Sequence, residues 1–230
     1  MSIRPILFNS DMVREILDAR KTVTRRLLSK RVEDKWSNYE AWTTSAAPPG
    51  STFLTEKEFY EQYPPCQPGD ILYVRETFSE LFPDEQSNEV CGYMYKVDTL
   101  ENYDKRYPNG ENYTWCGKWK PSIHMPKEAV RIFLKVKAVR VERLQEISVE
   151  DAKKEGSFHS CGMCRHWIGY CEKNIVLARD CAIDKISPEF PKLWDSTVKK
   201  SERNRYGWDA NPLVWVIEFE RCEKPEGWCR

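Results

Sequence analysis

Residues 131–144 carry the longest β signal in the chain, and its alternation changes phase partway along: Ile132, Leu134 and Val136 share one parity, Val139 and Val141 the other. A slip of one residue moves side chains to the opposite face of a sheet, so the shift around Lys137-Ala138 predicts a bulge or bend, as in a small curved barrel. Further strands are expected at 3–8, at 71–78 directly after the Pro68-Gly69-Asp70 turn, more weakly at 92–97, and at 213–220. They frame only two or three short helices, which favours a closed or partly closed β-barrel with decorations over a parallel α/β sheet. The expected fold class is therefore α+β.

The helices are marked at their ends. Asn9 or Ser10 can cap a helix whose apolar residues Met12, Val13, Ile16 and Leu17 share one face and which stops near Ala19. Ser148-Val149-Glu150-Asp151 reads as a capping box opening a helix through Glu155, with Gly156 where a left-handed residue belongs. Residues 188–200 read as another helix. Arg20, Lys21, Arg25 and Arg26 surround a Thr-Val-Thr alternation, a basic turn leading into a strand. Residues 29–65 are polar and aromatic, interrupted by Pro48-Pro49-Gly50 and Pro64-Pro65, and are expected to be an insertion lying over the scaffold as a lid or binding loop. The prolines of 119–126, Pro121 and Pro126, exclude regular structure there. With a second, cysteine-rich insertion at 157–186, the chain 1–230 is expected to form one domain.

Charge narrows the partners. Lys and Arg total 36 and Asp and Glu total 36, so the formal net charge is zero, which argues against coating nucleic acid or an anionic membrane through bulk charge. Any nucleic-acid contact must be local. No apolar run approaches the ~18 residues of a membrane span, and the N-terminal Pro5-Ile6-Leu7-Phe8 run breaks into polar residues instead of continuing as a signal-peptide core. The expected location is the cytoplasm. Nine cysteines, an odd number with four crowded between 161 and 181, fit reduced thiols and one metal cluster better than a secreted disulfide framework.

The order of strand, helix, basic Lys-Thr-x-Thr-Arg-Arg turn, Pro-Gly-Asp-Ile-Leu strand, long strand and capped helix ending in Glu-Gly resembles the ASCH domain family, whose fold is a PUA-like β-barrel. Pro5-Ile6-Leu7-Phe8, Val74-Arg75-Glu76-Thr77, Pro121-Ser122-Ile123-His124-Met125-Pro126, Leu193-Trp194-Asp195 and Tyr206-Gly207-Trp208-Asp209 resemble the larger members found in phages and prophages. The resemblance implies RNA or a modified nucleoside or nucleobase as partner, inside a bacterial host cell. Some members are nucleases or amidohydrolases, and small bacterial ones deacetylate N4-acetylcytidine using a Lys and a Thr in a Lys-x-x-Thr turn and a Glu near a helix end. The matching residues here are Lys21, Thr24 and Glu155. Lys21 and Arg26 also fit the family's turn, in which Ala19 stands at the glycine position.

Amide hydrolysis needs a nucleophile, a base and an acid for the leaving nitrogen, and Thr, Lys and Glu can supply them when the Lys is desolvated. Lys21 is expected to deprotonate Thr24 or a water and Glu155 to pass the proton to the leaving amine; the alternative is a basic turn that binds phosphate or caps the barrel mouth. Arg25, Arg26, Arg75 and Glu76 offer donors and an acceptor for phosphate or a base edge, or ordinary surface pairs. Trp119 and His124 can stack on or hydrogen-bond a base, against a structural role for His124. Trp36, Tyr39, Trp42, Tyr60 and Tyr63 form either a stacking platform or the insertion's own small core.

Cys161 and Cys164 make a C-x2-C knuckle, and with Cys171 and Cys181 they can close a structural zinc site, His159 or His166 being substitutes; free thiols, a disulfide or an iron–sulfur cluster are the alternatives. No cofactor is needed for the catalysis described. Three functions therefore stand: an amidohydrolase of N4-acylated cytidine or a related base, a non-catalytic module binding RNA or modified DNA, and a ribonuclease that, without an obvious carboxylate cluster for a metal, would be metal-independent. A protein serving only protein contacts is the blandest reading.

Overall fold

The computed structural model describes residues 1–44, 55–98, 115–156 and 189–228. It is a mixed structure of β-strands and short helices that divides into two compact units. Unit 1 comprises Met1–Ala19, Gly69–Lys135 and Glu220–Arg230; unit 2 comprises Arg20–Pro68 and Val136–Phe219. The long strands β7 (Phe133–Arg143) and β8 (Leu213–Cys222) each pass from one unit to the other along the chain.

In unit 1, β1 (Ile3–Leu7) runs parallel to β3 (Ile71–Arg75), which pairs antiparallel with the first residues of β7. Helix α1 (Ser10–Leu17) follows β1, with Asn9 Oδ1 accepting from Met12 N at 2.8 Å as the sequence predicts. Its apolar spacing buries Val13 and Ile16 completely. Ala19 ends the turn after it in the left-handed region at φ 59°. The strand expected over 71–78 is interrupted: it stops at Arg75, and β4 (Phe78–Phe82) starts a separate sheet with β5 (Gly92–Tyr95) and β6 (Trp115–Cys116). The break falls where Glu76 turns inward, its N–H donating to Met125 Sδ and its carboxylate meeting Arg131. Hydrophobic continuity from Ile71 to Phe78 concealed this, because both pieces are buried.

In unit 2, β2 (Val23–Leu27) pairs antiparallel with β8, Thr24 opposite Ile217 and Arg25 opposite Val216. Helices α4 (Val149–Lys154) and α5 (Glu189–Thr197) cover a core of Val23, Leu144, Ile147, Ala152, Phe190, Trp194, Val198, Val214 and Val216. The 29–65 segment forms α2 (Lys30–Thr44) and α3 (Glu56–Gln62). A reciprocal Thr55–Glu58 capping box starts α3, and Phe59 lies stacked 5.7 Å from Trp215. Trp36 meets Phe59 edge-on at 4.8 Å, so these aromatics form packing and not a free stacking surface. On β7, Leu134 and Val136 are buried and Lys135 and Lys137 exposed; that contrast is lost from Ala138 onward, where the sequence shows its phase change.

Candidate functional site

The basic turn is tied to the end of α4 by the backbone. Thr22 N donates to Lys154 O at 2.9 Å, and Thr22 O accepts from Phe219 N at 2.9 Å. Ser148 caps the other end of α4, its Oγ accepting from Asp151 N at 3.0 Å. Glu155 is therefore presented, from the residue just past α4, to a lysine two residues before β2.

Lys21 and Glu155 are both buried, at 2% and 6% exposure. Lys21 Nζ donates to Glu155 Oε2 at 2.6 Å, to Glu155 O at 2.8 Å and to Val23 O at 2.8 Å. Burial pushes the Lys21 ammonium below its ordinary range more than Glu155 holds it up, and the Arg26 and Arg25 charges push the same way. A proton shared across 2.6 Å with a carboxylate is within reach of both groups.

Arg25, the second buried cation, completes the clamp. Its Nη1 donates to Glu155 Oε1 at 3.2 Å, while Nη2 donates to Glu142 Oε2 at 3.1 Å and to Asp151 Oδ2 at 3.4 Å. Those two carboxylates are in turn held by Arg140, whose Nη2 meets Asp151 Oδ2 at 2.9 Å, whose Nε bonds Glu142 and whose Nη1 bonds Glu218. Thr24 is buried on β2, one residue from both Val23 and Arg25 and so on the other face of the pleat. Arg26 is half-buried, its guanidinium pushed down by desolvation and partly held up by Glu155.

The structure thus brings Lys21, Arg25 and Glu155 into hydrogen-bond contact inside unit 2. Arg75, Glu76, Trp119 and His124 belong to unit 1. There, Arg75 Nη2 bonds the carbonyls of Ile123 and Met125, which pins the proline-flanked segment. Trp119 is 46% exposed and His124 lies in an exposed single 3-10 turn on that segment. Glu76 is 1% exposed and receives Arg131 Nε at 2.8 Å and Nη2 at 2.9 Å.

Cys161, Cys164, Cys171 and Cys181, with His159 and His166, lie outside the described residues. Among the described residues no group of three or more metal-binding side chains occurs.

Reading the sequence missed Arg140, Glu142 and Glu218, and assigned Asp151 only to a cap. A signal was present: Arg140 and Glu142 sit two apart on one strand and so share a face, where paired charges would normally be avoided unless matched.

The sequence matches no protein-family model. It matches no curated protein. Among solved structures the chain aligns with a high-resolution crystal structure of an ASCH domain from Lactobacillus crispatus, at 11% identity, over 96% of this chain and 79% of that one, with a TM-score of 0.30. A likeness that slight carries no argument about fold or chemistry, which must come from the residues themselves. No helix among the described residues is long and apolar enough to cross a membrane.

Proposed function

We propose that the protein is an ASCH-type amidohydrolase, built on a PUA-like barrel, that removes the acyl group from N4-acylated cytidine or a related base. The observation that supports this best is the Lys21 Nζ to Glu155 Oε2 contact of 2.6 Å between two buried groups, with desolvation lowering the lysine toward its neutral form. In this reading neutral Lys21 takes the proton of Thr24 Oγ1 or of a water, and the resulting oxyanion attacks the acyl carbonyl. The proton crosses from Lys21 to Glu155, which delivers it to N4 as the C–N bond breaks; attack by water leaves the acyl group directly as a carboxylate, whereas attack by Thr24 leaves an acyl-threonine ester that a water then hydrolyses. In unit 2 Arg26 is the candidate contact to phosphate, and in unit 1 Trp119 and His124 are candidates of their own for stacking on or bonding a base, whereas Arg75 and Glu76 are taken up by the Ile123 and Met125 carbonyls and by Arg131; a structural zinc on Cys161, Cys164, Cys171 and Cys181 is compatible with chemistry that needs no metal.

A second reading is a non-catalytic module that binds RNA or modified DNA. It is favoured by the three acceptors, Val23 O, Glu155 O and Glu155 Oε2, that meet the three N–H bonds of a Lys21 ammonium, an arrangement suited to a structural lock.

One experiment separates them: incubation with a panel of N4-acylated cytidines and cytosines, read by mass-resolved chromatography, with Lys21→Ala alongside and thermal unfolding of both proteins. The expected result is release of free cytidine or cytosine by wild type and a loss of about 10²–10⁴-fold in kcat/KM for folded Lys21→Ala. No turnover of any panel member by wild type would transfer the case to the binding module. Full activity of Lys21→Ala would remove Lys21 from the chemistry.

A further inference from the structure

We infer that Arg25 is a positioning residue for the Lys21–Glu155 pair: its guanidinium, held from behind by Glu142 and Asp151, fixes Glu155 Oε1 so that Oε2 meets Lys21 Nζ. The inference rests on reading Lys21 and Glu155 as the proton-transfer pair, and it assigns a residue that the basic turn alone would give to phosphate binding.

Three observations carry it. First, the Arg25 side chain is only 1% exposed, both of its terminal nitrogens donate to carboxylates and its Nε is buried without a partner among the described residues, so it turns no fork to solvent where a phosphate could meet it. Second, the terminal torsion of a glutamate is broad, so two oxygens in fixed directions require a tether on each; Lys21 supplies one and Arg25 Nη1 the other. Third, Arg25 is itself immobilised. Glu142 on β7 and Asp151 on α4 hold its Nη2, and Arg140 cross-links those two carboxylates and reaches Glu218 on β8. One buried cation needs one carboxylate for charge balance; three arranged about a planar fork specify where that fork lies.

The charge of Arg25 adds an electrostatic consequence. Among the charged groups acting on Lys21 are Glu155 past α4 and Arg25 and Arg26 on β2, and Arg25 helps to push the Lys21 ammonium down. Removing that charge therefore raises the pH at which Lys21 loses its proton, whereas replacing Arg25 by another cation keeps the charge and removes the fork.

The test uses the full chain as wild type, Arg25→Lys and Arg25→Gln, each checked for folding by thermal unfolding. Two readouts are followed: the pH profile of turnover on the acylated cytidines, and the Lys21 side-chain ¹⁵Nζ resonance, assigned by its disappearance in Lys21→Met. Arg25→Lys should lower kcat at least about tenfold with KM within about twofold, the split expected when orientation at the reacting centre is lost and binding is not. Its Lys21 resonance should move toward the position of a solvent-exposed lysine, because the untethered carboxylate no longer faces Nζ. Arg25→Gln should shift the Lys21 titration midpoint, and the acid limb of kcat/KM with it, to higher pH. Wild-type kcat in Arg25→Lys, an unmoved Lys21 resonance in that variant, or an unmoved midpoint in Arg25→Gln would each overturn the inference. Should wild type turn over no acylated base, the amidohydrolase reading fails, and the resonance in Arg25→Lys still decides whether Arg25 positions Glu155. Arg25→Lys keeps a cation among three carboxylates, so it carries the test if Arg25→Gln does not fold.

Discussion

Each unit buries a glutamate against a basic side chain, and the two pairs are built for different ends. In unit 1, Glu76 receives two bonds from Arg131, whose remaining terminal nitrogen goes to Asp98 at 3.1 Å and whose Cζ lies 3.7 Å from the centre of the Tyr95 ring. Burial alone would lower the Arg131 guanidinium, but hydrogen bonds and charge from Glu76 and Asp98 outweigh it and hold the guanidinium above its ordinary value. The Arg131 side of that pair therefore keeps its charge at any ordinary pH. In unit 2 Glu155 meets a lysine as well as Arg25, and the lysine's compact ammonium loses more on burial than the glutamate returns, which weakens its hold on the proton. Burial beside a carboxylate thus leaves the arginine cation raised in unit 1 and the lysine cation lowered in unit 2.

The comparison breaks most visibly at Arg131. Arg131→Met leaves Glu76 as an uncompensated buried charge, and the expected loss is about 3–5 kcal/mol in urea unfolding. A loss below about 1 kcal/mol would show that Glu76 does not depend on that partner, and the contrast with Glu155 would collapse.

The pH dependence of stability sharpens it next. Because folding lowers the Lys21 value, the unfolded chain binds more protons than the folded one between that lowered value and the ordinary lysine value of 10.5. Wild type should therefore gain stability with rising pH across that window, by at most about 1.4 kcal/mol per pH unit, and Lys21→Met should lack this gain. Below the window the lysine is charged in both states and the difference between the two proteins is flat. Urea titrations from neutral pH upward measure it directly. Parallel curves would mean that Lys21 is as basic folded as unfolded, and with it the distinction from Arg131 would go.

Much of this comparison could be read from the sequence, and its missing parts share a cause. Local signals worked where the physics is local: Asn9 and Ser148 as caps, Ala19 and Gly156 as helix ends, and the Lys21 turn feeding a strand. Lys21 and Glu155 were paired by family resemblance and lie in contact in the structure. Arg140 and Glu142 left a local trace in their strand spacing, but the link from Arg140 to Glu218 spans 78 residues of chain and leaves none. The 29–65 segment reads as an insertion lying over the scaffold as a lid or binding loop because its prolines and polar residues dominate; the contact that packs it, Phe59 on Trp215, joins it to a strand more than 150 residues later.

The smallest expected effects compare how the two units end a helix. Unit 1 closes α1 with Ala19 at φ 59°, where the Ala19 N–H donates to Ile16 O at 3.1 Å; unit 2 closes α4 with Gly156 at φ 73°, its N–H donating to Lys153 O at 3.0 Å. Alanine in the left-handed region is strained by about 1–2 kcal/mol, and glycine there is unstrained but gives up more chain entropy on folding. Ala19→Gly should therefore stabilise by about 0.5–1 kcal/mol, and Gly156→Ala should destabilise by a similar amount, shifts of roughly 2–4 °C in Tm per kcal/mol at this chain length. The two substitutions should part company in activity. Ala19 already holds the backbone that glycine would adopt, so turnover in Ala19→Gly should stay within about twofold of wild type. Gly156→Ala strains the residue next to Glu155 and should lower kcat beyond what its Tm predicts. Equal kcat losses in both would mean that the Lys21 turn sets the geometry of the pair as much as the Glu155 end does.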